Sequence, residues 1–502
     1  MARKPAARKR SRTPTTRAAR RSTPPAAAGP VTVRHYCQGI GDCHLLRFPT
    51  AEGGDFWMLI DCGVHSSVKG GSDRIREIVA DIAEQTDRLD VVVVTHEHWD
   101  HVSGFLIAAE TFGKLTVGEV WMGWTEDPDD RQAQALDKYK GEALAALQMA
   151  SAAFGRSRGL SPFQLALGKG IDAVLGFNFG AKGERVRSAR DAAKKLSNRV
   201  RYLDPTGRPP LTLPNLPNLR IYVLGPPRDA ALLGLTERAS EMYGLGGDGG
   251  SPLVGALGNA LKVSEGAGTA DYGMPFEPNA GIALSELLRP GADDDAASAA
   301  SVAFFRERYL GSRTARSDDD ISWRRIDSDW LGASADLALQ LDSRTNNTSL
   351  VLAFELVDSG HILLFAADAQ VGNWLSWHDL AWTVDDKPVT ATDLLARTVH
   401  YKVGHHGSEN ATLKAKGLEL MGHEDLVAFV PTNEADAKNV GWGEMPFHAI
   451  LDELGRRTRR RVVRADDAWI AEDGATPAFA TPSRALSGLR HRAGRWVEFD
   501  FV

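Results

Sequence analysis

The segment Leu89-Asp90-Val91-Val92-Val93-Val94-Thr95-His96-Glu97-His98-Trp99-Asp100-His101 decides the reading of this chain. Its first half is a β-branched run that is apolar on both faces, the pattern of a strand covered by a helix on one side and a second sheet on the other. Its second half sets three histidines and one aspartate within six positions, on the loop that such a strand feeds. Residues two apart in extended backbone point the same way. His96 and His98 are therefore expected to share one metal ion, while Asp100 and His101, further along the turn, face a second. Imidazole with carboxylate suits Zn, Mn or Fe better than Ca or Mg.

Around this segment the periodicity changes in a regular way. Val31 to Tyr36, Cys43 to Phe48 and Phe56 to Ile60 read as a β-meander, and Asp73 to Glu84 carries Ile75, Ile78, Val79 and Ile82 at helical spacing. Asp130 to Phe154 and Val186 to Leu196 read as helices, and Leu219 to Leu224 as a strand. Further strands are expected at Leu350 to Leu356, His361 to Ala366, Thr398 to Val403 and Leu426 to Val430. A helix is expected from Pro446 to Arg457, with proline in its first turn and an arginine run at its end. Gly244 to Gly281 is too rich in glycine to assign, and the acidic runs Asp293 to Asp295 and Asp318 to Asp320 are solvated faces. The chain is thus divided into a basic tail (1–30), a first half-domain (31–124), a helical and loop-rich insertion (125–340) that covers the cleft, and a second half with a C-terminal extension (341–502).

Composition bounds the class. A chain of 502 residues, 43% hydrophobic and 25% charged, is globular and long enough for a sizeable core. No apolar run reaches the eighteen or so residues of a membrane span. Only three cysteines, Cys37, Cys43 and Cys62, are present, too few for a disulfide framework, so a reducing, cytoplasmic setting is expected. Residues 1–30 hold nine Lys or Arg and no Asp or Glu, so the net charge of −6 hides about −15 on the remainder once those nine are removed. The tail lacks the apolar block of a secretory signal and is read as a solvated extension or a tether to nucleic acid or another polyanion.

His96-Glu97-His98-Trp99-Asp100-His101 resembles the HxHxDH signature of the metallo-β-lactamase superfamily, and Leu59-Ile60-Asp61-Cys62-Gly63 resembles the earlier strand whose aspartate steadies the metal loop. Gly39-Ile40-Gly41-Asp42, Asn346-Asn347-Thr348-Ser349-Leu350-Val351-Leu352, Leu364-Phe365-Ala366-Ala367-Asp368 and Lys402-Val403-Gly404-His405-His406-Gly407-Ser408 are similar, in order, to the catalytic domain of ComEC-type DNA-uptake proteins and their soluble relatives. The likeness covers roughly 31–130 and 340–460. It implies an α+β fold, a four-layer αββα sandwich with two divalent ions, Zn or Mn, at one edge. Asp368 would bridge both ions. His405 would join Asp100 and His101 at one of them, with His406 beside it contacting substrate or exchanging roles. Asp42 and Asp61 would orient ligands from behind.

Two departures from that pattern matter. No histidine lies between Val102 and Gly360, so the third histidine usual for the first ion is absent. Asn346 or Asn347 stands in its place, and Asn347 is taken as the candidate ligand of what should be the weaker site. The histidine usual before the late helix is also absent, and His448 is the candidate substitute. Asp100, His406 and His448 are then the candidate catalytic groups, and Lys402, Ser408 and Asn433 the candidates for holding substrate oxygens. A water activated between two metals can attack phosphorus or a carbonyl carbon. The expected activity is a phosphodiesterase or nuclease acting on nucleic acid or another phosphate compound. Hydrolysis of an amide, ester, lactone or thioester, and a binding protein with a degraded site, are the alternatives.

Overall fold

The computed structural model describes residues 29–156, 168–172, 184–205, 209–235, 240–242, 296–310, 333–440, 444–475 and 481–502, with isolated positions at 175, 238, 477 and 479. The basic tail, the glycine-rich stretch 244–281 and both acidic runs lie outside the described residues.

Two mixed sheets face one another. The first runs, edge to edge, through Leu486–Arg492, Trp496–Phe501, Val31–Tyr36, Cys43–Pro49, Asp55–Cys62, Arg88–Val94, Thr116–Gly123 and Val200–Leu203, and the second through Val462–Arg464, Val427–Val430, Thr398–Lys402, His361–Phe365, Val351–Leu356, Leu216–Gly225 and Leu211–Leu213. In the first, β1 (Val31–Tyr36), β2 (Cys43–Pro49) and β3 (Asp55–Cys62) form the expected meander. The helix Gly71–Gln85 then carries the chain across to β4 (Arg88–Val94), parallel to β3. Beyond β5 (Thr116–Gly123) and β6 (Val200–Leu203), the far edge of this sheet is completed by β16 (Leu486–Arg492) and β17 (Trp496–Phe501), which pairs with β1. The second sheet contains β7 (Leu211–Leu213), β8 (Leu216–Gly225), β9 (Val351–Leu356), β10 (His361–Phe365), β13 (Thr398–Lys402), β14 (Val427–Val430) and β15 (Val462–Arg464). A small separate hairpin pairs β11 (Ala381–Val384) with β12 (Lys387–Thr390). The segment expected to be an insertion therefore supplies β6 to one sheet and β7 and β8 to the other.

The alternation of side chains along β4 shows why the layers stack. Val91 and Val93 enter the core between the sheets with Met58, Ile60, Trp121, Leu352, Phe354, Phe365 and Phe429. Val92 and Val94 point the other way and pack with Ile75, Ile78, Ile82, Val102 and Phe105 of the flanking helices. On the far side of the second sheet, Ala353, Leu364, Tyr401 and Val430 meet Trp374, Trp377, Leu394 and Ile450. This gives helices, sheet, sheet, helices. Each fully buried Leu, Val or Phe contributes about 1.5–3 kcal/mol, so a charge at Val92 or Val93 would break a layer contact. No helix among the described residues is long and apolar enough to cross a membrane.

β3 and β4 are parallel, and so are β10 and β13. The C-terminal ends of these four strands, at Asp61, Thr95, Ala366 and Val403, meet where the two sheets open at one edge.

Candidate metal centre

Asp61 organises the histidine loop. One carboxylate oxygen accepts from the Thr95 backbone N–H at 2.8 Å, and the other from the Thr95 hydroxyl at 2.6 Å and His101 Nδ1 at 2.8 Å. Both ends of the loop are therefore tied to one side chain. Asp61 adopts φ 54° to reach them. Gly63 lets the adjoining turn press on the loop, since a Cβ there would lie 2.2 Å from the Asp100 carbonyl carbon. Thr95 also fixes the His96 tautomer: its hydroxyl donates to Asp61, so it accepts from His96 Nδ1 at 3.1 Å and leaves Nε2 directed inward.

The inward atoms converge. His96 Nε2 lies 3.1 Å from His98 Nδ1. Asp368 Oδ2 lies 3.0 Å from His101 Nε2, 3.5 Å from His406 Nε2 and 4.0 Å from His96 Nε2, so one carboxylate oxygen faces three imidazoles. His406 Nε2 is 2.8 Å from Asp100 Oδ2. Two groups of side chains have atoms close enough to share a divalent cation: Asp100, His101, Asp368 and His406, and Asp42, Asp61 and His101. All six residues, His101 being common to both groups, are buried.

The donor set fits a transition metal, being imidazole nitrogen and carboxylate oxygen in a buried setting. The local electrostatics agree. Burial disfavours charge on His101, yet Asp368, Asp42 and Asp100 together hold its imidazole well above the ordinary range. Burial opposes charge on His406 too, and is outweighed by Asp368 and Asp100. Burial, with the neighbouring Asp100 and Asp368, pushes the Asp342 carboxyl up to about 7. Carboxylates crowded in this way are stabilised by a cation among them.

Several expected residues are placed otherwise. It is His406, not His405, that reaches Asp100 and Asp368. The two consecutive histidines have φ 41° and 56°, so the backbone reverses and their rings diverge. His405 instead meets Ser408 Oγ at 2.9 Å, Gln370 Nε2 at 3.3 Å and Asn346 Nδ2 at 3.3 Å, while its backbone N–H donates to Asp368 Oδ1 at 3.2 Å. Asn347 is turned away from the cluster: Nδ2 donates to the Leu233 and Leu235 carbonyls, and Oδ1 accepts from the Asn373 N–H. Its neighbour Asn346 is wholly buried at the cluster, and its Oδ1 has no hydrogen-bond partner among the described residues.

Lys402 is neither a surface lysine nor open to substrate. It is wholly buried, with its ammonium on the Asp42 carboxylate and 3.2 Å from the Ala367 carbonyl oxygen. Asp42 is held by it well below the usual carboxylate range, against the effect of burial. Asn433 caps the helix Glu434–Val440, accepting from the Asp436 N–H at 3.0 Å, so its oxygen is engaged there. His448 is 61% exposed and faces Glu444 at 3.8 Å, outside the cluster. The helix that carries it begins at His448, because Pro446 and Phe447 precede the first turn.

The sequence pattern did not point to Glu97 or to its partners. Glu97 is 1% exposed and receives Lys140 at 3.0 Å and Arg190 at 2.7 Å, from the helices Arg131–Arg156 and Glu184–Lys194. Arg190 also meets Glu126 at 3.1 Å. Asp342, on the helix Ala333–Asn347, lies 3.6 Å from His98 Nε2. These contacts join residues 43 to 244 positions apart, and no local spacing signals them.

A family model described as the metallo-beta-lactamase superfamily matches residues 38–138. The chain has the metallo-β-lactamase fold. Together with the two ligand groups, this makes the edge of the sandwich a metallohydrolase active site. No curated protein matches the sequence.

Proposed function

We propose that the protein is a dinuclear metal-dependent phosphodiesterase. The observation that carries the reading is the position of Asp368 Oδ2, within 4.0 Å of His96, His101 and His406, where one carboxylate could serve two adjacent cation sites. His96, His98 and Asp368 would hold one ion, with Asn346 Oδ1 beside it, and Asp100, His101, His406 and Asp368 the other, each Zn or Mn. When bound, two such ions supply an acidified water and positive charge for a developing oxyanion.

The chain's own groups do the positioning. Asp61 fixes His101, Thr95 fixes His96, and the Lys402–Asp42 pair lies behind His101, with Asp42 Oδ2 3.9 Å from its Nδ1. At the rim, His405 and Ser408 would hold non-bridging phosphate oxygens. The ComEC-like segments and the nine cations of residues 1–30 support a nucleic acid or another phosphate diester as substrate. Hydrolysis of bis(p-nitrophenyl) phosphate and of single- and double-stranded DNA, with Zn or Mn added, tests this. Activity abolished in Asp368→Ala is expected. Turnover confined to ester, lactone or thioester probes would refute the phosphodiester assignment while leaving the metallohydrolase intact.

A further inference from the structure

Two of the three loop histidines share a plan. His96 gives Nδ1 to Thr95 and turns Nε2 inward, and His101 gives Nδ1 to Asp61 and turns Nε2 toward Asp368. His98 follows the plan in mirror image. Its Nδ1 faces His96 Nε2 at 3.1 Å, close to the roughly 3.4 Å that separates two donors on one tetrahedral cation with bonds near 2.1 Å. Its Nε2 faces outward, 3.6 Å from Asp342 Oδ1.

We propose that Asp342 is the positioning residue of His98, taking the Nε2 hydrogen so that Nδ1 is the nitrogen presented to the cation shared with His96. A ring nitrogen bound to metal is generally oriented by a carboxylate or carbonyl on the other nitrogen. A small rotation closes 3.6 Å to a hydrogen bond. Asp342 is itself held: Asn346 Nδ2, one helical turn on, lies 3.4 Å from its second oxygen. Its helix is also docked, with Arg344 over the Tyr139 ring at 4.8 Å. The carboxyl is 19% exposed, so it lies at the cleft wall rather than on the open surface. Because His98 Nδ1 already points to His96, a carboxylate on the opposite nitrogen acts through the ring and does not replace the missing histidine ligand.

This assignment rests on the metal-site reading above, and the experiment separates the two. Wild-type protein, Asp342→Leu and Asp342→Asn are loaded with Co(II), and affinity is measured by chelator competition alongside the visible absorption spectrum. Asp342→Leu should weaken one of the two cations by 10–100-fold and leave the other within twofold, without loss of circular dichroism. Asp342→Asn keeps an oxygen acceptor and should recover most of that loss, with an unchanged number of nitrogen and oxygen donors by X-ray absorption. Equal affinities in all three proteins would overturn the role of Asp342 alone. Loss of one oxygen donor in Asp342→Asn would overturn positioning in favour of direct ligation. A wild-type protein that binds no cobalt would overturn the metal reading and this inference together.

Discussion

Lys140→Met should uncouple the helix Arg131–Arg156 from the histidine loop at a cost large enough to measure. The lysine and Arg190 face Glu97 and Glu126 as two cations against two anions, and Glu97 stands between His96 and His98 in the sequence. Methionine keeps the length of the side chain and removes the charge, leaving one excess buried negative charge. Breaking a buried pair from one side costs about 3–5 kcal/mol, and the retained Arg190 places this case at the lower end. The electrostatics set an upper bound of similar size. Against the effect of burial, Lys140 and Arg190 together lower the Glu97 carboxyl from 4.5 to about 2, which at 1.36 kcal/mol per unit is about 3 kcal/mol for the two cations jointly. Because the folded value lies below the unfolded one, this stabilisation is full above pH 4.5 and is lost as pH falls from 4.5 towards 2. Urea unfolding followed by tryptophan fluorescence should therefore show a midpoint loss equivalent to about 3 kcal/mol at pH 7, shrinking on acidification through that window. A loss below 1 kcal/mol, or one that does not vary with pH, would show that Lys140 does not hold Glu97 in its charged form.

Other outcomes follow from the same geometry. Asp61→Asn removes the charge that ties Thr95 to His101 and should lower metal affinity by about 10–100-fold, read by chelator competition; an unchanged affinity would show that the loop holds itself. His448→Ala should leave hydrolysis rates within twofold of wild type, because that side chain is exposed and away from the cluster. Chelation should lower the thermal midpoint, since the proposed ligands come from both sheets. A metal at a thousand times its dissociation constant stabilises by about 4 kcal/mol, and an unaltered midpoint would mean that the ions do not brace the fold.

Much of this fold was legible because its signals are local. The all-valine run gave β4 within a residue, the 3.6-residue spacing gave the helix at Gly71–Gln85, and the turn at Gly360 gave the hairpin of β9 and β10. The loop histidines and Asp368 were visible for the same reason: each follows directly on an apolar strand. What escaped depended on backbone conformation or long-range contact. Alternation cannot assign His405 and His406 when both residues are left-handed. Asn347 reads as a metal ligand and Asn433 as a substrate contact in sequence, but short amides are equally suited to capping and bracing backbone, which is how they are used. Asp342 lies in a stretch with no histidine, and only the docking of its helix brings it to His98.

The left-handed backbone at Asp61, Ala367, His405 and His406 sets the course of any attempt to make this protein hardier. Each such L-residue is held against a cost of order 1 kcal/mol, and glycine relieves it at every one. The same relief is open at Asp385, Asp386, Arg459 and Arg460, which are also left-handed and lie away from the reacting groups. At Ala367 glycine sacrifices one methyl, whereas at Asp61 and His406 it removes the chemistry. Libraries screened for heat tolerance should therefore accept glycine at the four positions away from the reacting groups and at Ala367, and reject it at Asp61, where three hydrogen bonds leave with the side chain.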